Sequence, residues 1–233
     1  MILFGHRGAM AYEPENTLAS FTAAVGMGVD GIELDVYTSE DGHVVVSHVD
    51  SLDIDGHLYR ITKLPLAEIQ KIALPKQQRV PTLDEVFLTM EKLRDGKLLY
   101  SIDLKDVRDA EAYHAVLAKH GVTARVFTCM ESRLFIKKVQ RQFPDLTYVL
   151  STHATSAGVI EDLDKVDPAI IKVVNVPVGE ASKAIVDAIH AKGLKSFIWD
   201  VNDEKAMREA ASWGPDALYS NYPDVLVQVA GKK

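Results

Sequence analysis

At 233 residues, 47% hydrophobic and 25% charged, the chain has the composition of an ordinary globular protein with a sizeable core, which excludes disordered and fibrous classes. A formal charge of -7, from 33 acidic and 26 basic residues, opposes long-range attraction to nucleic acid but allows a small anionic substrate in a locally positive cleft. The lone cysteine, Cys129, excludes an intrachain disulfide and a thiolate metal cage and reads as a small core residue. No run reaches the ~20 apolar residues of a membrane span, so a cytoplasmic setting without stable membrane insertion is expected, and the oligomeric state is left open.

Short apolar runs alternate with amphipathic ones along the chain. A first strand, Ile2–Gly5, is followed by a helix over Thr17–Met27 and a strand over Gly31–Val36. Asp41–Gly42 then turns the chain into a hairpin strand, Val44–His48. Residues 49–81 form a longer, more polar insertion, with a short helix within Leu64–Ile72. Beyond it come helix Leu83–Leu93, strand Leu98–Leu104, helix Asp109–His120, strand Arg125–Cys129 and helix Ser132–Phe143. Strands Thr147–Ser151 and Ala169–Val174 lead to helix Gly179–Lys192, strand Lys195–Asp200, helix Asp203–Trp213, strand Ala217–Ser220 and helix Pro223–Val229, with Lys232–Lys233 as a solvated tail. Asp, Ser or Thr opens several of the helices, and Gly121, Gly193 and Gly214 follow three of them. About eight strands alternating with helices is the signature of an α/β protein of the (β/α)8 TIM-barrel type. No linker divides the chain, so residues 1–233 read as one barrel domain with 49–81 as an insertion after the second strand.

Side chains two apart on a strand share a face, so Glu33 and Asp35 in GIELDV project together, as do Asp103 and Lys105 in SIDLK. Ionised groups on apolar strands are costly to desolvate unless a counter-charge or a metal meets them. Three carboxylates at neighbouring strand ends suit an all-oxygen divalent cation, Mg2+ or Ca2+, with Lys105 beside it for phosphate oxygens. A metal-free ionic network with Arg7 and Lys105 is the alternative. His6 ends the first strand and His48 the hairpin strand, and a pair of imidazoles suits proton transfer at neutral pH, with Arg7 adding a forked cation. These residue types together point to in-line displacement at a phosphodiester. Of the other histidines, His153 is placed for the site because it follows the fifth strand.

The strings HRG at 6–8, PENT at 14–17, IELDV at 32–36, DG at 41–42, VVVSH at 44–48, PTLDEV at 81–86, IDLK at 102–105 and WDVN at 199–202 resemble, in order, those of the glycerophosphodiester phosphodiesterase family. The resemblance implies a TIM barrel that hydrolyses glycerophosphodiesters to sn-glycerol 3-phosphate and an alcohol with a divalent cation. It assigns His6 and His48 to acid/base catalysis, Arg7 and Lys105 to phosphate, and Glu33, Asp35 and Asp103 to metal. It also makes Trp199 an aromatic wall and Asn16 a brace beneath His6. Three departures stand out: Val49 where the family's pattern has Asp, LDIDG at 52–56 for LDRTT, and Asp103 where Glu is usual. The last is shared with the related spider-venom phospholipases D. Rival expectations are a non-catalytic glycerol-phosphate-binding barrel, a phospholipase-D-like enzyme acting on lysophospholipids, and a metal-free phosphate-sugar isomerase on the same fold. The insertion is expected to shape selectivity for the departing alcohol.

Overall fold

The computed structural model describes residues 1–94 and 96–231, so the Lys232–Lys233 tail lies outside the described residues. The elements run β1 (Ile2–Gly5), α1 (Leu18–Gly26), β2 (Gly31–Thr38), β3 (Val44–Val46), β4 (Ser51–Ile54), β5 (His57–Arg60), α2 (Leu66–Ile69), α3 (Leu83–Arg94), β6 (Leu99–Leu104) and α4 (Ala110–His120). They continue with β7 (Val126–Met130), α5 (Arg133–Gln140), β8 (Thr147–Ser151), α6 (Ser156–Leu163), β9 (Ile171–Pro177), α7 (Lys183–Ala191), β10 (Lys195–Trp199), α8 (Glu204–Ser212), β11 (Ala217–Ser220) and α9 (Pro223–Val229).

Local chemistry sets the helix boundaries. Thr17, Ser132, Thr155, Ser182 and Asp203 each accept a backbone N–H of the following turn through the side chain. At α3 the cap is reciprocal: Thr82 Oγ1 accepts from Glu85 N and Glu85 Oε2 accepts from Thr82 N. The Ser182 cap starts α7 at Lys183 rather than at Gly179. The helix α6, capped by Thr155, fills a connection for which the sequence suggests none.

The strands are apolar on both faces because both are covered. Among the described residues eight parallel strands close in the order β1-β11-β10-β9-β8-β7-β6-β2, with β1 pairing back onto β2 through Phe4 and Gly5 against Gly31 and Ile32. This is a TIM barrel. Phe4, Cys129, Val149, Val173, Phe197 and Tyr219 fill the interior, and the Phe4 and Tyr219 rings stack at 4.8 Å. Outside, Leu34, Val36, Ile102 and Val174 pack with Phe21, Val86, Tyr113 and Ile185 of the helices. At Gly31 a Cβ would lie 2.6 Å from Leu99 O and 2.7 Å from Phe4 Cδ1, so the closing strands approach only over glycine.

β3 runs antiparallel on β2, as the Asp41–Gly42 turn implies. The insertion carries more structure than its polarity suggests. β4 and β5 form a hairpin, and Ile61, Ile69, Ile72 and Val80 gather on Val45 of β3 in an apolar cluster of their own. No helix among the described residues is long and apolar enough to cross a membrane.

Candidate active site

With the barrel interior packed by aromatic and aliphatic side chains, polar groups are left to the C-terminal mouth, where a cavity of about 200 Å³ opens. Strand register decides what meets there. Asp35 on β2 lies directly beside Asp103 on β6, and Glu33 sits two residues earlier on the same face as Asp35. One oxygen from each of Glu33, Asp35 and Asp103 lies within 4.8 Å of the others.

The turn after β1 brings His6 and Arg7 over this cluster. Arg7 has φ +50 and its backbone N–H donates to Glu33 Oε2 at 2.7 Å. Ser20 Oγ and Asn16 N both donate to Arg7 O, at 2.8 and 3.2 Å, which docks the turn on the start of α1. Asn16 braces the acids: its Nδ2 donates to Asp35 Oδ2 at 3.0 Å, and its Oδ1 accepts from Asp35 N at 3.3 Å.

The two imidazoles touch different carboxylates. His6, 8% exposed, holds Nε2 3.8 Å from Glu33 Oε2, while its Nδ1 donates to Asn221 Oδ1 at 2.6 Å. His48 Nδ1 lies 3.2 Å from Asp35 Oδ1, a close contact rather than an aligned hydrogen bond, and its Nε2 accepts from Arg7 Nη2 at 3.2 Å. Both rings are therefore assigned the Nδ1–H tautomer by their partners. Val49, which follows His48, is exposed, while Asp50 turns away to Thr62 N and Arg60, so Asp35 is the carboxylate beside His48.

Lys105 Nζ bridges Asp35 Oδ1 at 2.7 Å and Asp103 Oδ2 at 3.1 Å, and Arg7 Nη1 donates to Glu15 at 3.0 Å. Burial would raise the Asp35 carboxyl, but contacts from His48, Lys105 and Asn16 outweigh it and hold Asp35 well below the usual carboxylate range. Glu33 goes the other way. Burial, followed by the charges of Asp35 and Asp103, pushes it well above its ordinary value of 4.5. Asp103 is also raised, by burial and Asp35, against the pull of Lys105. Burial lowers His6, helped by the Arg7 charge and opposed by Asn221 and Asp200.

His6, His48, Arg7, Lys105, Glu33, Asp35, Asp103 and Trp199 thus all line one cavity. His153 joins them at the rim, its ring edge-on to Trp199 at 5.2 Å and its Nε2 3.3 Å from Glu131 Oε1. Glu131, Ser151, Asn175 and Asn221 are contributors that sequence reasoning passes over. Each is a single residue at a strand end, and no local spacing marks it.

A closed parallel barrel with carboxylates, imidazoles and cations gathered at its C-terminal mouth places the chain among TIM-barrel enzymes. The model of the glycerophosphoryl diester phosphodiesterase family matches residues 6–225, and the chain belongs to that family of phosphoric diester hydrolases. It is 25% identical over 253 residues to a glycerophosphodiester phosphodiesterase of Caldanaerobacter subterraneus, covering 99% of this chain and 98% of that one. It is 28% identical over 256 residues to one of Bacillus subtilis, covering 98% and 86%. Among solved structures, an Oleispira antarctica phosphodiesterase in complex with the product sn-glycerol-3-phosphate superimposes with a TM-score of 0.87 at 23% identity, covering 100% of this chain and 97% of the other.

Proposed function

We propose that the protein hydrolyses glycerophosphodiesters to sn-glycerol 3-phosphate and an alcohol, with a divalent cation held by Glu33, Asp35 and Asp103 and with His6 and His48 as the acid/base pair. The observation that carries this is the convergence of three carboxylates on one point, with each imidazole in contact with one of them.

The donor set fits a hard cation. Three carboxylates face two side-chain cations, Arg7 and Lys105, and Arg7 is shared with Glu15. Burial first, and then the charges of Asp35 and Asp103, raise Glu33, so its ionised form calls for a further counter-charge. A purely ionic network would leave Glu33 with a backbone N–H and a neutral imidazole for partners, whereas Mg2+ or Ca2+ accepts all-oxygen ligation. Bound there, the cation would draw charge from the phosphoryl oxygens as a Lewis acid.

The chain's own residues supply the proton transfers. His6 is lowered by burial and donates from Nδ1 to Asn221, which leaves the Nε2 lone pair to take a proton from the attacking water. His48, once protonated, passes a proton to the departing alkoxide, so the water's O–H and the P–O ester bond break as the new P–O and O–H bonds form. Arg7 and Lys105 orient the phosphoryl oxygens. A cytoplasmic setting and a small-molecule substrate belong to the same proposal.

The test is to incubate the protein with glycerophosphocholine or glycerophosphoethanolamine plus Mg2+ or Ca2+ and to measure glycerol 3-phosphate, with and without EDTA. Product that disappears with EDTA is expected. Absence of product with every diester and every divalent ion overturns the proposal, and saturable binding without turnover points to a binding barrel.

A further inference from the structure

The chain carries a formal charge of -7, and many of its exposed cations sit against an acid, as Lys71 does on Glu68, Lys119 on Asp84, Lys183 on Asp187 and Arg208 on Glu204. Helix α5 breaks this pattern. From Ser132 to Gln142 the sequence holds Arg133, Lys137, Lys138 and Arg141 and no acid. Arg133 is matched by Asp162 at 3.1 Å, but the side chains of Lys137, Lys138 and Arg141 are exposed and pair with no acid among the described residues. The acids flanking the helix in the chain are turned elsewhere, Glu131 to His153 at 3.3 Å and Asp145 to His114 at 3.0 Å.

The same helix exposes two large apolar side chains. Leu134 is 77% exposed and Phe135 50%, both in the first turn, while Ile136 and Val139 are buried. Leu134, Lys137, Lys138 and Arg141 share one outward stripe, because residues three, four and seven apart lie on one helix face. Chain direction orients that stripe. α5 leaves the C-terminal end of β7 directly after Glu131 of the cavity wall, so its first turn stands at the barrel rim and its last turn lies away from it. At 1.5 Å of rise per residue, Lys138 sits about 6 Å and Arg141 about 10 Å behind Leu134 along the axis. Helical side chains lean toward the N-terminus, so the lysine stems reach back toward the rim.

Apolar residues in front with cations a turn or two behind suit a layered surface. An amphipathic element buries its apolar residues about 5–10 Å into the boundary between headgroups and acyl chains, while its cations stay at the phosphates. A nucleic-acid backbone would use the cations and give Leu134 nothing to pack on.

We propose that α5 docks the barrel rim reversibly on an anionic lipid surface, with Leu134 and Phe135 entering the headgroup boundary and Lys137, Lys138 and Arg141 meeting the lipid phosphates. The proposal goes beyond the phosphodiesterase reading and stands independently of it.

Sedimentation with vesicles tests it. The protein is expected to bind vesicles of phosphatidylcholine and phosphatidylglycerol in equal parts, to bind pure phosphatidylcholine about 10²-fold more weakly, and to leave the mixed vesicles as salt is raised. Lys137→Gln, Lys138→Gln and Arg141→Gln should each weaken partitioning by about 5-fold, and all three together by about 10²-fold. Leu134→Ser should cost about 5-fold. Tm should stay at the wild-type value in each variant, since these side chains are exposed, which separates lost docking from lost fold. No binding to either vesicle, or binding that the α5 variants leave unchanged, overturns the proposal. Self-association that the same variants abolish, without vesicle binding, overturns it in favour of a contact between copies of the chain. Retention on duplex DNA without vesicle binding overturns it in favour of a polyanion.

Discussion

Asn221 Oδ1 and His6 Nδ1 lie 2.6 Å apart although 215 residues separate them in the chain. β11 and β1 are neighbours where the barrel closes, so the residue after one strand end faces the residue after the other. Asn221 is itself held, its N–H donating to Asn202 Oδ1 at 2.8 Å. The consequence for His6 is a fixed tautomer, with the proton on Nδ1 and the lone pair of Nε2 toward Glu33.

Asn221 is therefore expected to act as a positioning residue for His6. Its hydrogen bond raises the His6 pKa against the lowering by burial and Arg7. Asn221→Ala should lower kcat by about 10-fold and move the acid limb of kcat/KM to lower pH, because the remaining influences depress His6 further. Asn221→Asp should move that limb to higher pH by adding a negative charge. An acid limb that stays put in both variants removes His6 from the role of base.

His6→Ala and His48→Ala are each expected to lower kcat by about 10²-fold or more with the far-UV circular dichroism unchanged, as loss of general acid–base help does. Wild-type turnover in either variant removes that imidazole from the chemistry.

The ionic cluster at the mouth is legible in the sequence for a physical reason. Glu33 and Asp35, like Asp103 and Lys105, sit two apart within apolar strands, a pattern too expensive for packing alone. Ser151 and Asn175 are not legible in this way. They are ordinary small polar residues at strand ends, and only register sets them side by side on the cavity wall. Strand positions are legible in the sequence, because a barrel strand covered on both faces stands out as an apolar run. The core of the insertion is hard to see in the sequence, since its Ile61, Ile69, Ile72 and Val80 are spread thinly along a polar stretch and condense only onto Val45. The contact of Asp35 with His48 is equally hidden, because 13 positions and a hairpin turn separate the two residues in the chain.

Lys105 neutralises two carboxylates at once, one of them on Asp35, which is only 2% exposed. Lys105→Met is expected to destabilise the metal-free protein by about 3 kcal/mol, because breaking a buried ion pair strands the remaining charge. Mg2+ or Ca2+ should recover more Tm in this variant than in wild type, while kcat/KM stays low for want of the phosphate contact. An equal ion-dependent rise in Tm in both proteins shows that Lys105 and the cation do not share the carboxylates.

Gly8 closes the turn that carries His6 and Arg7. It has φ +84, and a Cβ there would lie 2.6 Å from Ser20 C and 2.8 Å from Phe21 N, backbone atoms of α1 that no rotamer change can clear. Gly8→Ala is expected to cost about 3 kcal/mol or more in denaturant unfolding, from the unfavourable φ and the clash together. A loss below about 1 kcal/mol would mean that the turn does not dock on α1 as described.

Glu33 links metal, pH and stability in one measurement. Its pKa in the folded protein is raised above the ordinary 4.5, so the folded state holds its proton more tightly than the unfolded chain does. Below about pH 4.5 both states are protonated at this group and its burial costs little. As pH rises through the folded pKa the proton must leave a buried site beside Asp35 and Asp103, and stability falls. A divalent cation held by the three carboxylates would reverse this by meeting the new charge, and its binding would expel the Glu33 proton. The Tm gain from saturating Mg2+ or Ca2+ should therefore grow as pH rises above 4.5, and calorimetry in buffers of different ionisation enthalpy should register proton release on binding. Glu33→Gln, which cannot ionise, should weaken the pH dependence of the gain and reduce the proton release, leaving only the share of the raised Asp103. A Tm gain independent of pH, with no proton released by the wild-type protein, would place the cation away from Glu33.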